Sequence, residues 1–100
     1  MEIKKDKYYI VRADRAGVFA GNIEEFDAAT ATVTMRNARR LWYWDGAASI
    51  SQLAVDGTVA PSECKFTVTV DEIVILGVIE IIPATAKAEK SIKAVAEWHR

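Results

Sequence analysis

The chain has 100 residues, of which 51% are hydrophobic and 27% are charged, and its formal net charge at pH 7 is −1. This length predicts a single domain over residues 1–100 with one modest core. The hydrophobic share argues against an intrinsically disordered chain. The near-zero charge argues against binding to double-stranded DNA, which favours a clear basic excess.

The N-terminal stretch and the cysteine content predict the compartment. Residues 1–7 are rich in charge and lack the apolar segment of a signal peptide. Cys64 is the only cysteine, so an internal disulfide is excluded and nothing indicates an oxidising compartment. The longest apolar run, residues 73–79, is too short to cross a bilayer. We therefore expect a cytoplasmic protein with no membrane contact.

The N-terminal half of the chain is predicted to consist of strands. Aromatic and β-branched residues indicate the first strand, and alternating polar and apolar residues indicate the third. Asn37 is expected to break the third strand and to leave a short separate strand behind it. Turns are predicted over residues 14–17 and 27–30. The predicted strands span residues 8–12, 18–26, 32–35 and 39–44.

The middle of the chain predicts one helix and one further strand. The helix spans residues 47–55, with Asp45 as its N-cap and Gly57 at its end. Its apolar stripe indicates that one side packs against the sheet. After a loop over residues 58–64, regular alternation predicts a strand over residues 65–70.

The run over residues 73–82 is almost wholly apolar and follows a predicted turn at residues 71–72. Gly77 is expected to place a bulge or bend in this strand. A strand that is apolar on both faces has to be covered on both faces. The predicted helices and the neighbouring strand suffice to cover only one of them. We therefore expect a second copy of the chain to cover the other, and hence a homo-oligomer.

The C-terminal residues predict a second helix and complete the fold. Pro83 is expected to end the sheet, and Thr85 to cap a helix over residues 86–96. The count is then about six short strands and two short helices. It predicts an α+β domain with a small antiparallel sheet, for which a half-open barrel is one solution.

The residue types that build catalytic and metal sites are scarce. His99 is the only histidine, whereas a zinc site needs several histidine or cysteine ligands. Cys64 has no candidate base near it in the sequence and is interpreted as a small buried residue. No glycine-rich phosphate loop is present. We therefore expect a protein that is not an enzyme, with no catalytic residue, no metal site and no cofactor.

The segment over residues 36–46 is the most informative part of the chain. It carries three of the six arginines and two of the three tryptophans, and such side chains contribute most at binding surfaces. A small anionic, nucleotide-like ligand would stack its base on the aromatic rings and place its phosphate on the guanidinium groups. Polar residues of the following helix are expected to add directional hydrogen bonds. The candidate ligand-binding residues are Arg36, Arg39, Arg40, Trp42, Tyr43, Ser49 and Gln52, with Arg12 and Arg15 as further cationic candidates.

The same segment also has a purely structural interpretation. In a regular strand Arg40 shares one face with Trp42 and Trp44, whereas Arg39 shares the other face with Tyr43. If the two tryptophans are core, Arg39 pairs with an acidic neighbour. Arg40 then has to leave that core through a bulge, because a buried guanidinium needs a partner. The sequence leaves both interpretations open.

The motif Asn-Ala-Arg-Arg-Leu-Trp-Tyr-Trp at residues 37–44 is accompanied by further characteristic stretches at residues 46–54, 64–66, 80–85 and 91–93. Together they resemble a family of short proteins encoded by tailed phages and prophages, over most of the chain from Tyr8 onward. That family has no assigned catalytic residues, so the resemblance implies none here. By analogy of composition and context, the chain is also similar to viral sponge proteins. Those proteins are oligomeric and sequester cyclic nucleotide signals of antiviral immunity in pockets of arginine and aromatic side chains.

Three functions are compatible with the segment and the resemblance. The first is a non-enzymatic counter-defence protein, acting in the host cytoplasm, that sequesters a small anionic nucleotide-like ligand such as a cyclic nucleotide. The second is an inhibitor or adaptor that binds a host protein through the same patch. The third is a structural or assembly protein whose arginine–tryptophan segment is an oligomer interface.

Overall fold

Residues 2–99 are described by a computed structural model, in which the backbone forms six strands, two α-helices and one short 3-10 helix. The strands and helices follow the order β1 (Tyr8–Ala13), β2 (Gly17–Asp27), β3 (Thr32–Tyr43), α1 (Ile50–Asp56), the 3-10 helix (Pro61–Glu63), β4 (Lys65–Phe66), β5 (Val70–Ile75), β6 (Val78–Pro83) and α2 (Ala86–Ala94).

All six strands belong to one antiparallel sheet. Its order is β4-β3-β2-β1-β6. β5 pairs with the N-terminal half of β3, on the same edge that β4 occupies near the C-terminal end of β3. The outer edge of β3 is thus shared by two short partners. The predicted α+β domain with a small antiparallel sheet and two short helices is confirmed.

The sheet curls strongly because its two margins are joined by a very short connection. β5 and β6 lie at opposite margins, yet only Leu76 and Gly77 separate them. Such a connection spans no more than about 11 Å, so the margins have to approach each other. The backbone N–H of Val78 donates to the carbonyl of Ala31 at 2.9 Å, and that of Asp14 donates to the carbonyl of Gly77 at 2.9 Å. No ladder joins β5 to β6 within residues 2–99, so the curled sheet stays open there.

The curled sheet has a hydrophobic cluster on each of its faces. Neighbouring residues of β1 alternate between the two clusters, as the period of a strand requires. The helix-side core packs against α1 and α2 and consists of Tyr8, Ile10, Ala20, Leu41, Leu53, Ala54, Cys64, Phe66, Ile92 and Val95. The inner core lies within the curl and consists of Tyr9, Val11, Ala13, Phe19, Ile23, Val33, Met35, Ala38 and Ile75.

A β-bulge at Asn37 redirects the second half of β3. Asn37 and Ala38 lie opposite the single residue Gly21 of β2, and Asn37 has a left-handed backbone with a φ of 50°. Gly21 has to lack a side chain, because a Cβ atom there would lie 2.8 Å from the Cα atom of Ala38. Met35, before the bulge, faces the inner core, whereas Arg39, after it, reaches the carbonyls of α2. The predicted strand break is wrong: β3 continues, and its side chains change faces.

The expected helix start at Asp45 is also wrong. α1 begins at Ile50, and its N-cap is Ser49, whose hydroxyl accepts a hydrogen bond from the backbone N–H of Gln52. The carboxylate of Asp45 accepts from the N–H of Gly46 at 2.7 Å instead. Asp45 lies four residues before the N-cap Ser49 and is therefore too far from the first turn to cap it. The predicted end of this helix at Gly57 is confirmed.

The C-terminal strands differ from the prediction because two of them share one edge of β3. The expected strand over residues 65–70 contains the two residues of β4 and the first residue of β5, and the expected turn at residues 71–72 lies inside β5. The Thr67 hydroxyl accepts from the backbone N–H of Arg40 at 2.9 Å where the chain leaves the edge. The apolar run 73–82 is divided at Gly77, which has a φ of 72°.

The second helix matches its predicted start and ends slightly earlier. Thr85 caps α2, since its hydroxyl accepts a hydrogen bond from the backbone N–H of Ala88 at 3.0 Å. The helix ends at Ala94, not at the expected residue 96, and Val95 adopts an extended backbone. Residues 95–98 therefore leave the helix and continue beside β4, where Phe66 and Glu97 form an isolated parallel bridge.

The left-handed backbone of Asn37 predicts an opposite response to two substitutions. Asn37→Val should lower the free energy of unfolding by about 1–2 kcal/mol, because a β-branched residue is strained at positive φ. Asn37→Gly is the matched control and should stay within about 0.5 kcal/mol of wild type, since glycine adopts this conformation freely. Urea denaturation at unchanged m-value measures both. Equal stability of the two variants would contradict the bulge.

Candidate functional site

The seven candidate binding residues do not form one cleft. The structure divides them into a buried arginine, a helix cap, two dispersed arginines and an exposed aromatic surface. The buried arginine is Arg39, and the helix cap consists of Ser49 and Gln52. The dispersed arginines are Arg36 and Arg40, and the exposed aromatic residues are Trp42 and Tyr43.

Arg39 is an interior residue and is only 4% exposed. Its Nη1 atom donates to the carbonyls of Ile92 and Val95 at 3.0 and 2.9 Å. Its Nη2 and Nε atoms donate to the carbonyls of Phe66 and Thr67 at 3.1 and 3.0 Å. The guanidinium thus satisfies carbonyls at the C-terminal end of α2 and beside β4. The expectation that Arg39 binds a ligand is corrected, because its donors are taken by the protein itself.

Burial also shifts the titration of Arg39 and of its neighbour Tyr8. Removal from water lowers the pKa of the Arg39 guanidinium, and the nearby Tyr8 and Glu97 partly offset this effect. Burial raises the pKa of the Tyr8 phenol to about 12, while the positive charge of Arg39 acts in the opposite direction. Because a guanidinium stays protonated in proteins, Arg39 is a cation held by backbone carbonyl dipoles.

Ser49 and Gln52 complete the first turn of α1. The Ser49 hydroxyl accepts from the backbone N–H of Gln52 at 3.1 Å, and the Gln52 side-chain carbonyl accepts from the N–H of Ala48 at 2.7 Å. The first bond satisfies one N–H group that the first turn leaves free, and the second fixes the residue before the cap. Both side chains are exposed and have this local structural role, and their contribution to ligand binding stays a prediction.

Arg36 and Arg40 are exposed, and each contacts a different residue of the chain. Arg36 forms an ion pair with Glu72 of β5 at 3.4 Å. Arg40 lies over the ring of Phe19, with 4.7 Å between the guanidinium carbon and the ring centroid. The two arginines therefore do not converge on one anion as expected. The bulge at Asn37 separates them along β3.

An exposed aromatic surface remains, which we call the Trp42–Trp98 platform: Trp42, Trp98 and Lys65. The two indole rings stack with centroids 5.1 Å apart and planes 24° apart. The Lys65 ammonium lies 5.3 Å from the centroid of Trp42 and 5.5 Å from that of Trp98. Cation–π contacts of this kind hold the lysine over the rings.

The chain forms the platform by bringing β3, β4 and the C-terminal segment together. Trp42 lies near the end of β3, and Lys65 is the first residue of β4. The backbone N–H of Trp98 donates to the carbonyl of Phe66 at 2.8 Å. Sequence analysis missed Trp98 and Lys65, because neither is close to Trp42 in the chain. The position of Trp98 just beyond α2, one of only three tryptophans, was the available signal.

The other aromatic residues of the segment behave differently. Tyr43 is exposed and pairs in register with Lys65. Trp44 is half-buried and packs against the helix-side core. The expected sharing of one face by Trp42 and Trp44 is wrong, because the register of β3 against β4 shifts between Leu41 and Tyr43. One tryptophan of the pair is thus partly core, and the other belongs to the surface.

A family model described as a domain of unknown function, DUF6948, matches residues 6–92. The chain belongs to this family. No curated protein and no solved structure matches the chain. The matched region includes Trp42 and Lys65 and ends before Trp98. Because the family description names no ligand or activity, it does not select among the possible functions.

In the part of the chain that the structure describes, no helix is long and apolar enough to span a membrane. Across residues 2–99, His, Cys, Asp and Glu side chains form no group of three that could hold a metal ion. The platform itself offers stacking surface and positive charge, which are the properties of a binding surface.

The contacts of Arg39 predict a large effect on stability. Arg39→Met should lower the free energy of unfolding by about 3 kcal/mol, because buried carbonyls lose their donors. Arg40→Met is the matched control on the adjacent residue and should cost less than about 1 kcal/mol, since that side chain is exposed. Chemical denaturation of both variants measures the difference. Similar losses in the two variants would contradict the interior role of Arg39.

The buried Tyr8 phenol predicts a loss of stability at alkaline pH. The unfolded chain ionises this group near pH 10.0, whereas the folded chain keeps the proton to about pH 12. The stabilisation is therefore complete below pH 10 and is lost as the pH rises towards 12. Relative to Tyr8→Phe, wild type should lose roughly 1 kcal/mol between pH 9 and pH 11. Urea denaturation across this range should show a constant difference between the two proteins if the prediction is wrong.

Proposed function

We propose that this protein is a non-enzymatic binding protein that recognises a protein partner through the Trp42–Trp98 platform. The observation that carries the proposal is the stack of two tryptophans with the Lys65 ammonium over both rings. Trp42 is 58% exposed and Trp98 is 42% exposed. Large aromatic side chains beside a cation are typical of the residues that contribute most to protein interfaces.

The shape of the surface favours a protein partner over a sequestered small ligand. Ligand pockets bury most of the surface of their ligand. The arginines that would close such a pocket are dispersed, since Arg39 is interior, Arg36 pairs with Glu72 and Arg40 lies over Phe19. An exposed stack covers one side of a small ligand only, whereas a protein surface can cover the whole platform.

A small anionic nucleotide-like ligand is the second candidate. The observation that favours it is the positive charge of Lys65 directly beside an aromatic stacking surface. A base would stack on an indole ring, and its phosphate would pair with the ammonium group. Sequestration of a cyclic nucleotide signal is the form of this function that the similarity to viral sponge proteins suggests.

The resemblance to phage and prophage proteins indicates where the partner should be sought. Small phage proteins that bind without catalysis often act on a component of the host. The specific form of the proposal is therefore a counter-defence inhibitor or adaptor that works in the host cytoplasm. A host protein is the first partner to test.

The proposal predicts that Trp42→Ala abolishes partner capture without unfolding the protein. Immobilised wild type is used in pull-downs from host lysate, with Val59→Ala as the control, because Val59 is exposed and lies outside the platform. A partner bound through the platform is retained by wild type and Val59→Ala and lost by Trp42→Ala. In binding assays with the purified partner, Trp42→Ala should weaken affinity by about 30-fold or more. Retention of every captured protein by Trp42→Ala would contradict the proposal.

The nucleotide function is tested separately by a thermal-shift panel of mono-, di- and cyclic nucleotides. Ligand at about 100 times its dissociation constant adds about 2.7 kcal/mol of stability, which raises Tm by several degrees. A shift with one nucleotide that disappears in both Trp42→Ala and Lys65→Ala supports the second candidate. A flat panel, together with a captured protein, supports the first.

A further inference from the structure

A second surface of the curled sheet shares no residue with the Trp42–Trp98 platform. An open groove of about 510 Å³ runs between the β1–β2 turn and the end of β5, and we call it the β5 groove. Phe19 and Ile75 of the inner core line it, together with Leu76 and Gly77 of the β5–β6 connection. The groove thus opens onto the inner core at the place where the sheet fails to close.

The margin of the β5 groove is unusually apolar for an exposed surface. Three large aliphatic residues follow one another around the β5–β6 connection: Val74 is 55% exposed, Leu76 is 71% exposed and Ile79 is 55% exposed. Val74 and Leu76 line the groove, whereas Ile79 lies beyond the connection on β6. Single exposed apolar residues are normal, but two beside an apolar groove favour an interaction site. These three residues are the exposed remainder of the run that sequence analysis expected a second copy to cover.

Beside this corner β5 and β6 each lack a ladder partner on one edge among the described residues, although Gly77 and Val78 of the corner itself form backbone hydrogen bonds to Asp14 and Ala31. Within residues 2–99, β5 pairs only with β3, and β6 pairs only with β1. Each strand therefore has one free edge, and the two free edges meet at the Leu76–Gly77 connection. Exposed apolar edge strands associate readily with other chains.

The charges at the rim of the groove favour a partner whose surface carries both positive and negative charge. Asp14 and Arg15 are adjacent, exposed and both line the groove. Neither forms an ion pair in the part of the chain that the structure describes. A wholly anionic partner would be repelled by Asp14, and a wholly cationic one by Arg15. A second copy of the chain presents the same two charges in reverse order across a two-fold axis, as a self-complementary interface requires.

We propose that the β5 groove is the interface of a symmetric homodimer. Leu76 of each protomer packs against the β5 groove of its partner, and the Asp14 carboxylate of each pairs with the partner's Arg15. The two-fold axis passes close to the β5–β6 connection. The Trp42–Trp98 platform stays outside this interface, so the dimer presents two platforms to other partners.

The experiment is a measurement of molecular mass by sedimentation equilibrium of the full chain from about 1 to 100 µM, which detects dissociation constants in the micromolar range. Wild type should show a dimer, and Leu76→Asp should raise its dissociation constant by about 100-fold or more. Val59→Asp, a change at an exposed apolar residue outside the groove, is the matched control and should leave the dimer intact. Circular dichroism and the denaturation midpoint establish that each variant is folded.

A charge exchange tests the pairing itself. Asp14→Arg alone brings four positive charges together across the axis, and Arg15→Asp alone brings four negative charges together, so each should dissociate the dimer. The double variant Asp14→Arg/Arg15→Asp restores opposite charges and should dimerise again.

Four results would overturn the proposal. The first is a monomeric wild type, which would leave the groove to a different occupant. The second is a dimer that survives Leu76→Asp, and the third is a double charge variant that stays monomeric. The fourth is a dimer that Trp42→Ala dissociates, which would place the interface on the platform.

Discussion

The buried guanidinium of Arg39 is the interaction on which the arrangement of the C-terminal half depends. It reaches from β3 to four carbonyls, those of Phe66, Thr67, Ile92 and Val95. The chain ends its second helix and leaves the edge of β3 at these residues, where backbone carbonyls lack partners in regular structure. A single side chain with five donors satisfies them together. Arg39 therefore fixes how α2 and β4 sit against the sheet.

This interior contact also determines where the Trp42–Trp98 platform forms. The carbonyl of Phe66 accepts from Arg39 at 3.1 Å and from the backbone N–H of Trp98 at 2.8 Å. Lys65 immediately precedes Phe66, and Trp42 lies at the end of the strand that carries Arg39. The position of every member of the Trp42–Trp98 platform is thus tied to the same carbonyl cluster. The residue that resembled a ligand contact acts instead as the support of the surface beside it.

The two exposed surfaces have different origins in the fold. The platform results from packing of the C-terminal segment along β4. The β5 groove results from the curl, because Leu76 and Gly77 draw the two margins together without joining them by a ladder. The apolar residues that the curl leaves uncovered are those of β5 and β6. We propose both as recognition surfaces, and their separation would allow one to serve self-association and the other to serve an unlike partner.

The sequence by itself determined the class of the fold, the caps at Thr85 and Gly57 and the scarcity of catalytic residue types, because local periodicity and turn chemistry act over a few residues. It left open whether Trp42 is a core or a surface residue, and a binding role for this exposed side chain stays a prediction. It did not determine the faces of β3. The left-handed conformation of Asn37 reverses the alternation beyond it, so Arg39 turns inward and Arg40 outward. Nor did it reveal that Trp98 completes the platform, because that contact depends on the hydrogen bond to Phe66 across the chain. Bulges and long-range contacts of this kind depend on the packing of the whole sheet, and only the tertiary structure decided them.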